Sequence, residues 1–186
     1  MPSLPRFRNL GRDQAGKGGP IVRICLAGAA GAFGLKHLEA LARIEGVEVT
    51  SVVGAPSDGM AEFAASRNIG HYTSDLAESL ARPDVDAVIL ATPTPVHARQ
   101  AIQCMKAGKS VLVEIPMADN LADSREVVRV QRETGVVAMA GHVRRFNPSH
   151  QWIRTRIASG ELRIQQMDVQ TYFFRRTNMN ALGKPR

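Results

Sequence analysis

The sequence predicts an α/β fold of the Rossmann type: a doubly wound parallel sheet, followed by the first strand of an incomplete α+β domain. Three observations predict it. Short β-branched apolar runs alternate with stretches of helical periodicity, and those runs are apolar on both faces, as strands lying between two helical layers must be. A small-residue turn, Gly28-Ala29-Ala30-Gly31-Ala32-Phe33-Gly34, joins the first run to the first helix.

Residues 1–20 combine proline, glycine and four basic residues without apolar periodicity and read as a disordered tail. From Ile21, IVRICLAG is a short strand; after the glycine turn Leu35, Leu38, Leu41 and Ala42 keep helical spacing as far as Gly46. VEVTSVV from Val47 is a second strand closed by Gly54, Met60 to Arg67 makes a short helix, and Gly70 to Tyr72 is a weak strand. Asp86 to Ala91 is apolar throughout and reads as a buried strand. Thr94-Pro95 then opens a helix as cap and first-turn proline, with Ala98, Ala101, Ile102 and Met105 on one face and Gly108 as its stop.

Ser110 to Glu114 is the next strand, Asn120 caps a helix carrying Val127, Val128 and Val130 up to Gly135, and Val136 to Ala140 is one more strand. A helix starting at Pro148 or Ser149 runs through Ala158. Ile164 to Phe174 alternates apolar and polar residues, the pattern of a long antiparallel strand with one covered face. The expected division is a tail over 1–20, a dinucleotide-binding domain over 21–146, and over 147–186 a linking helix with the start of a second domain.

The 186 residues, 44% apolar and 22% charged, have globular composition. No run approaches the roughly 18 apolar residues of a membrane helix, and the N-terminus lacks the apolar segment of a secretory signal, so a soluble, cytoplasmic protein is expected. Cys25 and Cys104 stand among apolar neighbours without CxxC spacing and read as reduced core thiols, with no metal site. The net charge of +7 divides into +3 over residues 1–20, −3 over 21–120 and +7 over 121–186. The motif-bearing middle is therefore mildly acidic, and nucleic acid is not the expected partner; a basic last third suits phosphates, an anionic substrate or a solvated face.

Small residues at a strand-to-helix turn let backbone N–H groups approach a pyrophosphate at the positive helix N-terminus, so a dinucleotide is the natural ligand of Gly28, Ala29, Gly31, Ala32, Phe33 and Gly34. The spacing is G-x-x-G-x-x-G, one residue longer than the usual G-x-G-x-x-G. At the end of the second strand, Gly54-Ala55-Pro56-Ser57 offers no carboxylate for a ribose 2′-hydroxyl before Asp58. Its absence removes repulsion against a 2′-phosphate, which favours NADP, with Ser57 as a hydrogen-bonding candidate and NAD still open.

These features together resemble the Gfo/Idh/MocA family of NAD(P)-dependent oxidoreductases, from about Ile21 to Arg186. The resemblance is carried by the glycine turn, by DVDAVILATPTPVH with Thr92, Pro93, Thr94 and His97, by AGKSVLVEIPMA around Glu114 and Pro116, and by GHVRRFNP around Arg145. It implies a Rossmann domain followed by a sheet-based substrate domain, homo-oligomeric in the full-length form, and hydride transfer to a nicotinamide cofactor. Within the family, the stretch from Phe146 to Asn180 is most similar to dehydrogenases that oxidise the cyclic hemiacetal of a semialdehyde in bacterial aromatic-acid breakdown, which implies a small anionic carboxylate substrate. Ile115 stands where the wider family has a lysine in Glu-Lys-Pro, and the chain ends before the family's histidine-bearing helix.

Thr92, Pro93 and Thr94 lie at the carboxyl end of a strand, where open α/β sheets bind ligands. The resemblance places His97, Glu114, Ile115 and Arg145 with them at the cofactor; for His97 a surface or capping role, and for Glu114 a fold-stabilising cap, are the structural alternatives. His142 is the candidate base by position, and His71 reads as structural. Arg175 and Arg176 would suit a dicarboxylate through bidentate bonds, or would be plain edge charges. Phe146 and Trp152 read as core of the interdomain helix. A non-catalytic dinucleotide-binding module with a protein partner is the alternative function.

Overall fold

The computed structural model describes residues 20–55 and 59–170. Strands β1 (Val22–Ala27), β2 (Val47–Val53), β3 (His71–Thr73), β4 (Ala87–Leu90), β5 (Ser110–Val113) and β6 (Ala138–Ala140) pair in parallel in the order β3-β2-β1-β4-β5-β6. The chain moves outward from β1 on one side, then returns to start again at β4. Between β1 and β4 the direction of winding reverses, and the loops leaving those two strands diverge into a crevice.

The helices are α1 (Ala32–Leu41), α2 (Met60–Ala65), α3 (Leu76–Ala81), α4 (Thr94–Lys106), α5 (Leu121–Thr134) and α6 (Pro148–Ala158), with a 3-10 turn at Val143–Phe146 before α6. Alternation along the strands sorts the core into two layers. Ile24, Leu26, Val52 and Ile89 face α1 and α2 and pack with Met60, Phe63 and Ala64. Cys25, Ala27, Val53, Val88, Leu90, Val111 and Val113 face the other way, against Leu80 of α3, Ala101 and Met105 of α4, and Val127 and Val130 of α5. The carboxyl-terminal halves of β1 and β2 and most of β4 and β5 have apolar cover on either face, which is why these stretches are nearly continuous apolar runs.

Local signals account for most boundaries. Asn120 accepts from the amide of Asp123, and Gly135 takes a left-handed φ of 66° to end α5. Asn147 accepts from Ser149 N and starts α6. Helix α3 was not anticipated from the sequence. It has only six residues, and its signal is a cap, the Asp75 carboxylate accepting from Ala77 N, ahead of the pair Leu76 and Leu80. At α4 the cap position is Pro93 rather than Thr94, which is the first helical residue and caps nothing with its side chain.

The expected strand over 164–174 is not formed in its described part, residues 164–170. Alternation supplies one face for burial but no partner for the backbone, and a strand without a neighbour leaves its N–H and C=O groups unpaired. Phe146 and Trp152 are likewise exposed, at 70% and 56%, rather than core. Trp152 instead carries the Arg156 guanidinium over its ring at 3.8 Å.

Polar groups inside the fold are paired. Ser51 Oγ lies 2.8 Å from Ser79 Oγ and 2.9 Å from His71 Nδ1, which gives His71 its structural role. Cys25 and Cys104 are free and buried, and burial pushes the Cys104 thiol up to about 12. At the amino end of β1, Arg23 makes a two-pronged bond to Asp86, with Nε 3.0 Å from Oδ2 and Nη2 2.9 Å from Oδ1. That guanidinium, with the Arg23 amide, holds the Asp86 carboxyl at about 2 instead of its ordinary 3.8.

Two outcomes follow from these groups. Neither cysteine reacts with a thiol reagent in the native chain and both react once it is denatured; labelling of a native thiol at the denatured rate would contradict this. Asp86 has its pKa lowered by folding, so its contribution is present above 3.8 and is lost as pH falls toward 2. Asp86→Asn therefore lowers the urea midpoint at neutral pH and leaves it nearly unchanged at pH 2, whereas an equal loss at both would refute the assignment.

Candidate functional site

The strands end in a level row, because the amide just past each one continues the ladder. Gly28 N donates to Val53 O (2.7 Å), Ala91 N to Ala27 O (2.9 Å), Glu114 N to Leu90 O (2.9 Å) and Gly141 N to Val113 O (2.7 Å). The turns that leave this carboxyl edge hold most of the residues singled out from the sequence.

The three glycines of the first turn serve different ends. Gly28 has φ +80°, and a Cβ there would lie 2.4 Å from Ala91 O and 2.9 Å from Thr92 N. A Cβ on Gly34 would meet Gly28 O at 2.2 Å. These two let the turn close against β4 and against itself. Gly31 is less confined, with Gly28 O at 3.2 Å, and it occupies the cap position of α1 with no side chain bonded to the helix end. Its amide donates to Gly28 O at 3.0 Å, so the additional residue of the G-x-x-G spacing is absorbed in a tight turn before the helix.

No acidic residue occupies the first turn of α1. The amides of Ala32, Phe33 and Gly34 thus have no intrahelical acceptor and stand at the positive end of the helix. Ala29 is fully buried, backbone included, while Phe33 is 54% exposed beside the turn. A pyrophosphate fits this donor set, since it needs several convergent N–H groups, close backbone approach and no competing carboxylate.

The β4–α4 and β5–α5 turns are knotted to each other by side chains. The Thr92 hydroxyl donates to Gln100 Oε1 at 2.6 Å. His97 is 2% exposed; its Nδ1 lies 2.8 Å from Pro116 O and its Nε2 2.7 Å from Thr92 O. The ring is therefore engaged by backbone carbonyls on both sides, in the geometry of a structural role. Glu114 is also buried, and its Oε1 lies 2.8 Å from His37 Nε2. Gly141 runs so close to this carboxylate that a Cβ would lie 3.3 Å from it. In this geometry Glu114 braces the end of β5 against α1 through His37 and caps no helix. His37 was missed; its signal was its place one turn beyond Gly34, on a helix that begins at the carboxyl edge.

Ile115, by contrast, is 43% exposed at the edge, joined to Pro116 by a cis peptide. His142 and Arg145 lie past β6, in and beside the 3-10 turn, both exposed, with Arg145 N donating to His142 O at 2.9 Å. Ser57, Arg175 and Arg176 lie outside the described residues. Among the described residues no group of three His, Cys, Asp or Glu side chains is placed to hold a metal, and no helix is long and apolar enough to cross a membrane. A groove of about 530 Å³ lined by Leu35, Leu38, Val47, Val49 and Ile69 includes none of the site residues expected from the sequence.

Sheet order, glycine turn and carboxyl-edge loops together define a Rossmann-type domain suited to a dinucleotide. Residues 22–142 match the oxidoreductase family GFO_IDH_MocA, described as having an NAD-binding Rossmann fold, and residues 148–186 match the C-terminal region of bacterial oxidoreductases. The chain belongs to the Gfo/Idh/MocA family of oxidoreductases. It is 61% identical over 165 residues to 4-carboxy-2-hydroxymuconate-6-semialdehyde dehydrogenase of Sphingobium sp. (strain NBRC 103272 / SYK-6), covering 89% of this chain and 52% of that enzyme. It is 38% identical over 142 residues to inositol 2-dehydrogenase of Mycolicibacterium smegmatis, covering 75% of this chain and 41% of the relative. Among solved structures, apo scyllo-inositol dehydrogenase from Lactobacillus casei shares the fold, with a TM-score of 0.72 at 19% identity over 76% of this chain and 42% of that one. The chain spans about half the length of the Sphingobium enzyme and less of the inositol dehydrogenase.

The glycine geometry yields a direct test. Gly28→Ala combines a left-handed φ with a backbone clash and costs about 2–4 kcal/mol, whereas Gly31→Ala stays within about 1 kcal/mol. Urea denaturation of both variants checks this, and equal losses would contradict it.

Proposed function

We propose that this chain binds NADP(H) in preference to NAD(H) and carries the cofactor side of a dehydrogenase. The observation that carries the reading is the uncapped, carboxylate-free start of α1, held against β4 by the absent side chain of Gly28. The amides of Ala32, Phe33 and Gly34 bind the pyrophosphate. The end of β2, Gly54-Ala55, brings no carboxylate toward the 2′ position, and Ser57 supplies a hydroxyl to a 2′-phosphate. Thr92, Pro93 and Thr94 border the ribose and nicotinamide through the β4–α4 turn, and Arg145 offers a guanidinium to cofactor or substrate.

By its similarity to the Sphingobium enzyme, the proposed reaction is oxidation of the cyclic hemiacetal of 4-carboxy-2-hydroxymuconate-6-semialdehyde to 2-pyrone-4,6-dicarboxylate. The cofactor supplies the hydride acceptor when bound. At the hemiacetal carbon the C–H bond breaks with its electron pair leaving as hydride, and the hydroxyl loses its proton as the lactone C=O forms. Ile115 brings no ionisable group to the position where the wider family has a lysine, so the proton goes to another group, for which His142 is the candidate. The apolar Ile115 side chain instead helps exclude water from the reacting carbon. Arg175 and Arg176 pair with the substrate carboxylates.

A second reading, a binding module acting through a protein partner, is favoured by the exposed apolar residues Phe146, Trp152, Met167 and Val169. Titration of the purified chain with each cofactor is expected to give a lower Kd for NADP+ than for NAD+; the reverse order would overturn the preference. Adding the semialdehyde then separates the readings, because a rise in NADPH absorbance supports the dehydrogenase, and binding without turnover supports the module.

A further inference from the structure

We propose that His97 is a doubly protonated imidazolium, buried between two backbone carbonyls, and that it is the positioning residue that holds the β4–α4 and β5–α5 turns at the spacing a nicotinamide requires. The functional half of this proposal rests on the dinucleotide reading above; the chemical half rests on the ring's own geometry.

Both contacts of the ring are with acceptors. Thr92 O lies 2.7 Å from Nε2 and Pro116 O lies 2.8 Å from Nδ1, and a carbonyl oxygen has no hydrogen to give. A neutral imidazole carries one N–H, so it satisfies one carbonyl and turns a nitrogen lone pair toward the oxygen lone pairs of the other. At 2% exposure, water has little access to relieve that contact, and an unmade bond between buried polar groups is costly. The imidazolium donates to both, through charge-assisted bonds of the shorter and stronger kind.

The surroundings explain why two such bonds are needed. His97 stands in the first turn and a half of α4, where the helix dipole opposes a cation. Among the described residues no carboxylate bonds to the ring, and the acid nearest in sequence to Pro116, Glu114, is committed to His37. On α4 itself Arg99 is exposed and adds no compensating charge. The two carbonyl dipoles are therefore what holds the positive ring in place.

The tie joins loops that no strand pairing joins. Thr92 leads into Pro93 and Thr94, and Pro116 follows the exposed Ile115, so His97 sets the gap between the two turns that would border a nicotinamide. The pyrophosphate cradle has its own anchor, Gly28 against Ala91, and does not depend on this ring. Loss of the tie should weaken the nicotinamide end of the site and spare the adenosine end.

Nuclear magnetic resonance of the full chain with 15N-labelled histidine at neutral pH tests the chemistry, with the signals assigned by their loss in His97→Gln. Two protonated ring nitrogens with slowly exchanging hydrogens are expected, and one unprotonated nitrogen would overturn the proposal. Binding tests the role. A Gln side chain has one amide nitrogen and reaches one carbonyl as donor, so His97→Gln is expected to weaken NADP+ binding about tenfold, the scale of one lost bond. Its affinity for adenosine 2′,5′-bisphosphate, which lacks the nicotinamide, should be unchanged. Equal weakening toward both ligands, or toward neither, would overturn the positioning role. If His97→Gln fails to fold, His97→Asn replaces it in both measurements, and the wild-type nitrogen signals still decide the protonation. A wild-type chain that binds neither ligand would overturn the dinucleotide reading while the nitrogen signals decide the tie.

Discussion

Gly28 packs where no other residue can, with the space for its side chain filled by the Ala91 carbonyl and the Thr92 amide, and the carboxyl edge is arranged around that contact. Because the first turn lies directly on the end of β4, the start of α1 is held over the crevice between β1 and β4. A methyl group there would push the turn outward, and with it the row of amides that makes the edge suitable for an anion.

From that contact the three central loops form a closed circuit. The glycine turn touches the end of β4, His97 links the β4 turn to the β5 turn, and Glu114 at the end of β5 returns to α1 through His37. Each link has a short polar or steric contact in a buried place, so the loops owe their positions to one another as well as to the sheet. Loops at such edges are otherwise the mobile part of an α/β fold. The two side chains that close the circuit, His97 and Glu114, were candidates for cofactor contact; both are buried among loop contacts, while Ile115 is exposed at the edge.

Electrostatics follow the same division. Within residues 21–120 several carboxylates are paired, as in Arg23–Asp86, Arg82–Asp84 and the His37–Glu114 contact, while the first turn of α1 is free of carboxylates. The basic residues beyond β6, including Arg144, Arg145 and Arg154, remain exposed beside apolar side chains. That surface combines positive charge with exposed apolar side chains.

The sheet was legible in the sequence because strands covered on both faces need continuous apolar runs, and a parallel sheet needs helices between them. The caps at Asn120 and Asn147, the stop at Gly135 and the glycine turn were legible for similarly local reasons. Helix α3 was not, since six residues with two buried leucines hold too little periodicity. The strand expected from Ile164 is not formed over its described residues, 164–170, for the opposite reason: its pattern was clear, but pairing is a property of neighbours. The residues of the carboxyl edge were likewise named by the sequence, and only the tertiary structure decided which groups they contact. Whether His97 faces a ligand or two carbonyls depends on Pro116, nineteen residues away, and Glu114 finds its partner seventy-seven residues back at His37. Periodicity and propensity act over a turn or two of chain, whereas hydrogen bonds across loops depend on where the fold brings distant segments together.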